Sequence, residues 1–273
     1  LASASLRRIW LCADDYGLAP GVNAAIRELI GRGRLNATSV MMVTPHLDAA
    51  AVEALRALKT ASARPAIGLH LTLTAPFAPR TRGTFASLPR TLATAMARSL
   101  SVADLHDEVR AQVRAFTDAF GFSPDYLDGH QHVHLFPQVR EAVIAVMRET
   151  MPGAWLRQCE RRMPPLARLG NPKALLLDVL SRTLRRQAAA AGIGVNPAFA
   201  GAYRFAPDAD YARLFPAFLD GLPEGGLVMC HPGFVDDELR RLDPLTDLRE
   251  REYAFFAGET FPKILSQRGF TLS

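Results

Sequence analysis

Arg8-Ile9-Trp10-Leu11-Cys12-Ala13-Asp14-Asp15-Tyr16-Gly17 starts as an apolar run of strand length and ends abruptly in two carboxylates. Pro20 then opens an amphipathic stretch, Gly21 to Ile30, and proline is well suited to a first helical turn. The reading is a buried strand, a short acidic turn and a helix. Asp14-Asp15-Tyr16-Gly17 stands where a dinucleotide-binding protein carries a glycine-rich turn, so such a site is disfavoured.

The alternation continues outward. Thr38 to Val43 reads as a second strand and His46 to Ala61 as a helix. Ala66-Ile67-Gly68-Leu69-His70-Leu71 reads as a third strand. Val102, Leu105, Val109, Val113, Phe116 and Phe120 recur at helical spacing up to Gly121, predicting a helix that glycine ends. Tyr126-Leu127-Asp128, Ala154 to Arg157 and Gly226 to Cys230 are further strands. Pro137 opens a helix to Met151, and a charged helix from Leu248 to Gln267 closes the chain. Repeated strand–helix units predict an α/β fold with a parallel sheet and helices outside. A length of 273 residues suits one distorted TIM-like (β/α) barrel domain over 1–273. Ala75 to Ser101, rich in proline and arginine, reads as a loop or lid over the strand ends.

With 49% hydrophobic and 22% charged residues, the composition excludes a disordered chain, a collagen-like rod and a coiled coil. No apolar window of about 18 residues is free of charge or proline, so no spanning helix is expected. No signal peptide is visible. Cys12, Cys159 and Cys230 form no pairing pattern, which predicts reduced thiols and a cytoplasmic location. The formal charge of +5 is uneven. Arg56, Lys59, Arg64, Arg80, Arg82, Arg90 and Arg98 lie in a stretch without a carboxylate, and a second basic stretch runs from Arg157 through Arg161, Arg162, Arg168 and Lys173 to Arg186. Aromatic interleaving is missing, so nucleic acid is not an expected partner.

In parallel α/β proteins the chemistry collects at the carboxyl ends of strands. Here those ends carry Asp14-Asp15, His70, Asp128-Gly129-His130-Gln131-His132-Val133-His134, Arg157 and His231-Pro232. One aspartate of the adjacent pair can face a metal while the other acts as a base. On extended chain the two point to opposite sides; the plainer alternative is an N-cap and turn before the helix. His70 alone would read as a satisfied core histidine, and Gly68 beside it permits a close backbone approach. Alternate residues of His130-x-His132-x-His134 share a face on extended chain, so three imidazoles can converge; one ligand with two outer contacts is the favoured arrangement. Asp128 can orient an imidazole. His231 can serve as an acid held by Pro232, or be a histidine buried at a turn. Arg157 can bind a carboxylate in the site, or a surface acid. Cys12 and Cys230 read as buried small hydrophobes.

Ala13-Asp14-Asp15-Tyr16-Gly17, Gly68-Leu69-His70, Leu127 to Pro137 and Met229-Cys230-His231-Pro232, in that order, resemble the YdjC-type carbohydrate deacetylases, a family including chitooligosaccharide deacetylase and a hopanoid-associated branch. The resemblance implies a distorted barrel that removes N-acetyl groups from amino sugars with one divalent metal ion, Mg2+ or Zn2+. It implies Asp15, His70 and His130 as ligands, Asp14 as base and His231 as acid, and on it alone a homodimer is expected. Arg157 would hold Asp14 ionised. Asp128, His132, His134 and Tyr16 would contact substrate or support the ligands. Tyr16 stands where the family commonly has phenylalanine, and Gly129-His130-Gln131 where it has Ser-His-His; neither removes a ligand. Glu160 to Tyr203 matches the family poorly. A metal phosphoesterase and a non-catalytic sugar-binding barrel are the alternatives, separated by a phosphatase screen and by binding without product.

Overall fold

A computed structural model describes residues 6–61, 63–160, 172–206 and 208–272. The strands are β1 (Arg7–Arg8), β2 (Trp10–Tyr16), β3 (Ala37–Val40), β4 (Ala66–Leu71), β5 (Tyr126–Gly129), β6 (Trp155–Leu156), β7 (Phe199–Ala200), β8 (Leu227–Cys230) and β9 (Phe270–Thr271). The helices are α1 (Pro20–Gly31), α2 (Ala49–Thr60), α3 (Leu88–Met96), α4 (Val102–Phe120), α5 (Val139–Thr150), α6 (Pro172–Ala190), α7 (Tyr211–Phe218), α8 (Asp237–Leu242), α9 (Asp247–Ala257) and α10 (Thr260–Gln267).

Seven strands form one parallel sheet in the order β6-β5-β4-β3-β2-β8-β7. β3, β4, β5 and β8 are buried along their whole length, which is why they read as continuous apolar runs rather than alternating ones. The sheet curls into a half-barrel. Its ladder is interrupted between β6 and β7, where Leu156 makes an isolated parallel bridge to Val195 and its amide donates to Gly194 O at 2.9 Å. Asn196 fastens this seam: its Oδ1 accepts from the Gln158 amide at 2.8 Å, and its Nδ2 donates to the Ala198 carbonyl at 2.9 Å. The barrel reading therefore holds as a distorted half-barrel whose edges are joined by an isolated bridge. β1 and β9 pair separately.

β4 and α4 coincide with their predicted spans. Ser101 caps α4 by accepting from Asp104 N, and Gly121 ends it in the left-handed region at φ 75°. The strand expected from Arg8 to Ala13 is β2, which begins at Trp10 and runs on to Tyr16, so Asp14 and Asp15 lie within it. The single closing helix expected over Leu248 to Gln267 is two, α9 and α10, separated at Gly258. Among the described residues, no helix is long and apolar enough to cross a membrane.

The 75–101 segment is not all loop, since α3 lies inside it. Glu108 on α4 is buried and fixes the segment from below. It accepts from the amides of Arg80 and Thr81 at 3.0 and 2.9 Å, and from the Thr81 hydroxyl at 2.7 Å. Three of the seven cations in the first basic stretch are paired with carboxylates: Arg56 with Glu53, Lys59 with Asp125 and Arg98 with Glu141. Arg161, Arg162 and Arg168 lie outside the described residues.

Candidate active site

The site begins with an irregularity in β2. Its register against β3 runs Ala13↔Thr38 and then Tyr16↔Val40, so Asp14 and Asp15 together oppose Ser39. Such a bulge re-aims side chains that would otherwise alternate across the sheet. Asp15 takes φ 70°, uncommon for a residue with a side chain. Within one buried polar cluster the two carboxylates meet different partners, Asp14 the Arg157 guanidinium and Asp15 the His70 and His130 imidazoles.

Asp15 Oδ1 lies 3.2 Å from His70 Nε2 and 3.0 Å from His130 Nδ1. These three atoms fall within 4.8 Å of one another, and the group can hold a metal ion. Burial opposes charge on Asp15, but Arg249 and His130 outweigh it and hold the carboxyl well below the usual range. His70 is oriented from behind, with Nδ1 2.6 Å from Asp128 Oδ1 and 3.0 Å from Ser39 Oγ. A carboxylate on the far nitrogen fixes the tautomer and leaves Nε2 free to act as a ligand. Burial disfavours its protonation, yet Asp128 and Asp14 prevail and push the pKa up to about 10. One carboxylate and two imidazoles form a donor set suited to a divalent metal ion.

Arg157 emerges from β6 with no solvent exposure. Its Nη1 and Nη2 donate to the two oxygens of Asp14 at 2.7 and 2.9 Å, and Nη1 also lies 2.8 Å from Asp128 Oδ2. Despite burial, this guanidinium holds the Asp14 carboxyl well below the usual range. The second buried donor group, Cys12, Asp14 and Asp128, thus already surrounds a cation.

The three alternate histidines do not share a face. They lie in a tight 3-10 run, His130–Leu135, in which Gln131 and His132 take φ 54° and 60°. His130 joins Asp15. His134 is buried, and its Nε2–H donates to the Arg157 carbonyl at 2.9 Å. His132 packs edge-on against Phe199 with Nδ1 3.6 Å from Cys159 Sγ, and burial and Arg157 lower its pKa to about 3. Tyr16 is not brought to the cluster: its hydroxyl donates to Ala51 O at 2.7 Å and accepts from Arg27. Gly68 admits a ring rather than a backbone, because a Cβ there would lie 2.4 Å from Tyr126.

His231 follows β8. Its Nδ1 is buried and has no hydrogen-bond partner among the described residues. Burial lowers its pKa even though Asp15 and Asp14 favour the charged form. Glu252 on α9 accepts from the His231 amide at 2.5 Å and from the Tyr203 hydroxyl at 2.7 Å; its own pKa is raised by burial to about 7. Phe205, 46% exposed, meets the His231 ring edge-on at 5.6 Å. Arg249, also on α9, donates from Nη2 to Asp15 Oδ2 at 2.6 Å. Sequence reasoning missed Glu252, Phe205 and Arg249.

The YdjC-like protein family matches residues 8–267, nearly the whole described barrel. The chain belongs to the YdjC-like family. As a YdjC-like protein it is 30% identical over 237 residues to a chitooligosaccharide deacetylase of Citrobacter koseri, covering 84% of this chain and 82% of that one. It is 26% identical over 271 residues to the chitooligosaccharide deacetylase of Yersinia pestis, covering 95% and 94%. Among solved structures it resembles an Enterococcus faecalis V583 protein whose suggested role is cellobiose-phosphate cleavage. That likeness has a TM-score of 0.76 at 20% identity, over 98% and 97% of the two chains. It also resembles a family 4 carbohydrate esterase of Streptomyces lividans, with a TM-score of 0.50 at 11% identity, over 98% and 92%. At these identities the solved structures show a shared fold and nothing more.

Proposed function

We propose that this YdjC-like protein is a metal-dependent deacetylase that hydrolyses the N-acetyl group of an amino sugar, chitooligosaccharide-like or lipid-linked. The observation that carries the reading is Asp15 Oδ1 set between two imidazole nitrogens, with the Arg157-clamped Asp14 as its chain neighbour. The similarity to two chitooligosaccharide deacetylases supports the substrate class.

Asp15, His70 and His130 would hold one divalent ion, for which zinc is the favoured occupant. When bound, such an ion acts as a Lewis acid that acidifies water and offsets negative charge on a carbonyl oxygen. Asp14, kept ionised by Arg157, accepts the proton of the attacking water. The water oxygen bonds to the acetyl carbon. His231 donates a proton to the amide nitrogen as the C–N bond breaks, giving acetate and a free amine. Its lowered pKa makes the protonated ring a stronger acid. Glu252 fixes the His231 backbone, and Phe205 offers an apolar edge beside the departing sugar. Buried, unpaired Cys12, Cys159 and Cys230 suit a reducing cytoplasm.

The test is acetate release from N-acetylglucosamine oligomers by metal-stripped protein, with and without divalent ions. Acetate that depends on the ion, and that His70→Ala and His130→Ala abolish while remaining folded, is the expected result. Folded, ion-loaded protein that releases none from any acetylated amino sugar overturns the reading.

A further inference from the structure

Arg249 is buried on α9 and reaches across the ring to Asp15, 234 positions away in sequence. Its Nη2 lies 2.6 Å from Asp15 Oδ2 and 2.5 Å from Asp243 Oδ2, while Nε donates to Leu245 O at 3.1 Å. Nη1 is buried with no partner among the described residues. A buried guanidinium that leaves one nitrogen unbonded has been placed by something other than saturation of its own donors. Asp15 itself sits at φ 70°, a conformation that persists only where the surroundings enforce it.

The two oxygens of Asp15 are therefore divided: Oδ1 faces His70 and His130, and Oδ2 belongs to Arg249. We infer that Arg249 is a positioning residue that restricts Asp15 to a single ligand oxygen. This rests on the reading of Asp15, His70 and His130 as the ligand set. A carboxylate free to turn offers both oxygens, which suits ions that favour oxygen-rich shells; one oxygen with two imidazoles suits zinc. By occupying Oδ2, Arg249 makes the site nitrogen-weighted and keeps positions open for water and a carbonyl oxygen. The same residue steadies the loop of the proposed acid, because its carbonyl accepts from the Gly233 amide at 3.1 Å.

The test compares Zn2+ and Mn2+ affinities, by calorimetry on metal-stripped protein, for the wild type and Arg249→Met. Removing the positive charge favours every divalent ion alike, so that effect cancels in the Mn2+/Zn2+ affinity ratio, whereas a change in denticity does not. The expected result is a ratio shifted toward Mn2+ by roughly tenfold, the lower end of what loss of a ligand's supporting partner produces. Should the unpaired Asp243 prevent folding, the double variant Arg249→Met with Asp243→Asn carries the same expectation. Arg249→Lys, which keeps a cation on Oδ2, should restore the wild-type ratio. A folded variant with an unchanged ratio overturns the role of Arg249 alone. Wild-type protein that takes up neither ion overturns the ligand set and this role with it.

Discussion

Arg157 grips Asp14 with both terminal nitrogens, at 2.7 and 2.9 Å, in a place where the guanidinium has no exposed surface. The same cation answers Asp128, which in turn orients His70. The proposed base and the carboxylate behind the proposed ligand thus share one buried charge. Breaking such a pair from one side leaves buried carboxylates uncompensated and costs about 3–5 kcal/mol. Arg157→Met should lose stability on that order in urea denaturation and move the acid limb of the pH–rate profile upward, since Asp14 would no longer be held low. The sign follows from linkage: a depressed carboxyl contributes stability that is present above its unfolded pKa, near 3.9, and lost as pH falls through the folded value.

Metal uptake should be coupled to proton release. In the metal-free protein His70 has its pKa raised to about 10, above its unfolded value near 6.5. Its stabilising contribution is complete below the lower figure and is lost as pH rises through the upper one. A ligand must shed that proton. Calorimetry with Zn2+ at pH 7, in two buffers of different ionisation enthalpy, should show close to one proton released through His70. No release, with binding intact, would remove His70 from the ligand set.

Glu252 shares the sign of His70 and reverses that of Asp14, because its folded pKa is raised. Burial raises its pKa to about 7, so its ionisation weakens the fold as pH rises from the unfolded value, near 4.3, to about 7. Glu252→Gln lacks that penalty and keeps one acceptor oxygen for the His231 amide or the Tyr203 hydroxyl. The fall in melting temperature between pH 5 and pH 8 should therefore be smaller in the variant than in the wild type. An equal fall in both would show that Glu252 does not titrate in this range.

Gly68→Ala tests the packing beneath the site. The new Cβ would lie 2.4 Å from the Tyr126 ring, whose hydroxyl sits 3.0 Å from Cys12 Sγ. Overpacking of this kind typically costs 1–3 kcal/mol, and denaturant unfolding should show a loss of about that size. A neutral substitution would mean that the ring has room to retreat.

Much of the site was readable because it lies where parallel strands end. Asp14, Asp15, His70, Asp128 and Arg157 each follow or finish an apolar run, and strand direction alone gathers them. What could not be read was the local backbone. The bulge at Asp14-Asp15 and the left-handed Gln131 and His132 break the two-residue alternation on which face assignments rest. Arg249 and Glu252 were hidden for another reason: Arg249-Glu250-Arg251-Glu252 resembles a solvated charge run. The available signal was phase, since Leu248, Phe255 and Phe256 mark a buried stripe on α9 that also contains Arg249 and Glu252. Gly258 and Pro262 likewise marked the break between α9 and α10.

The grip of Glu108 on the 75–101 segment falls chiefly on main-chain amides, those of residues 80 and 81. Every amino acid except proline supplies that donor. The course of this segment can therefore persist while the side chains of residues 80 and 81 change freely. A backbone held in this way tolerates substitution on its outer side without losing its anchor on α4.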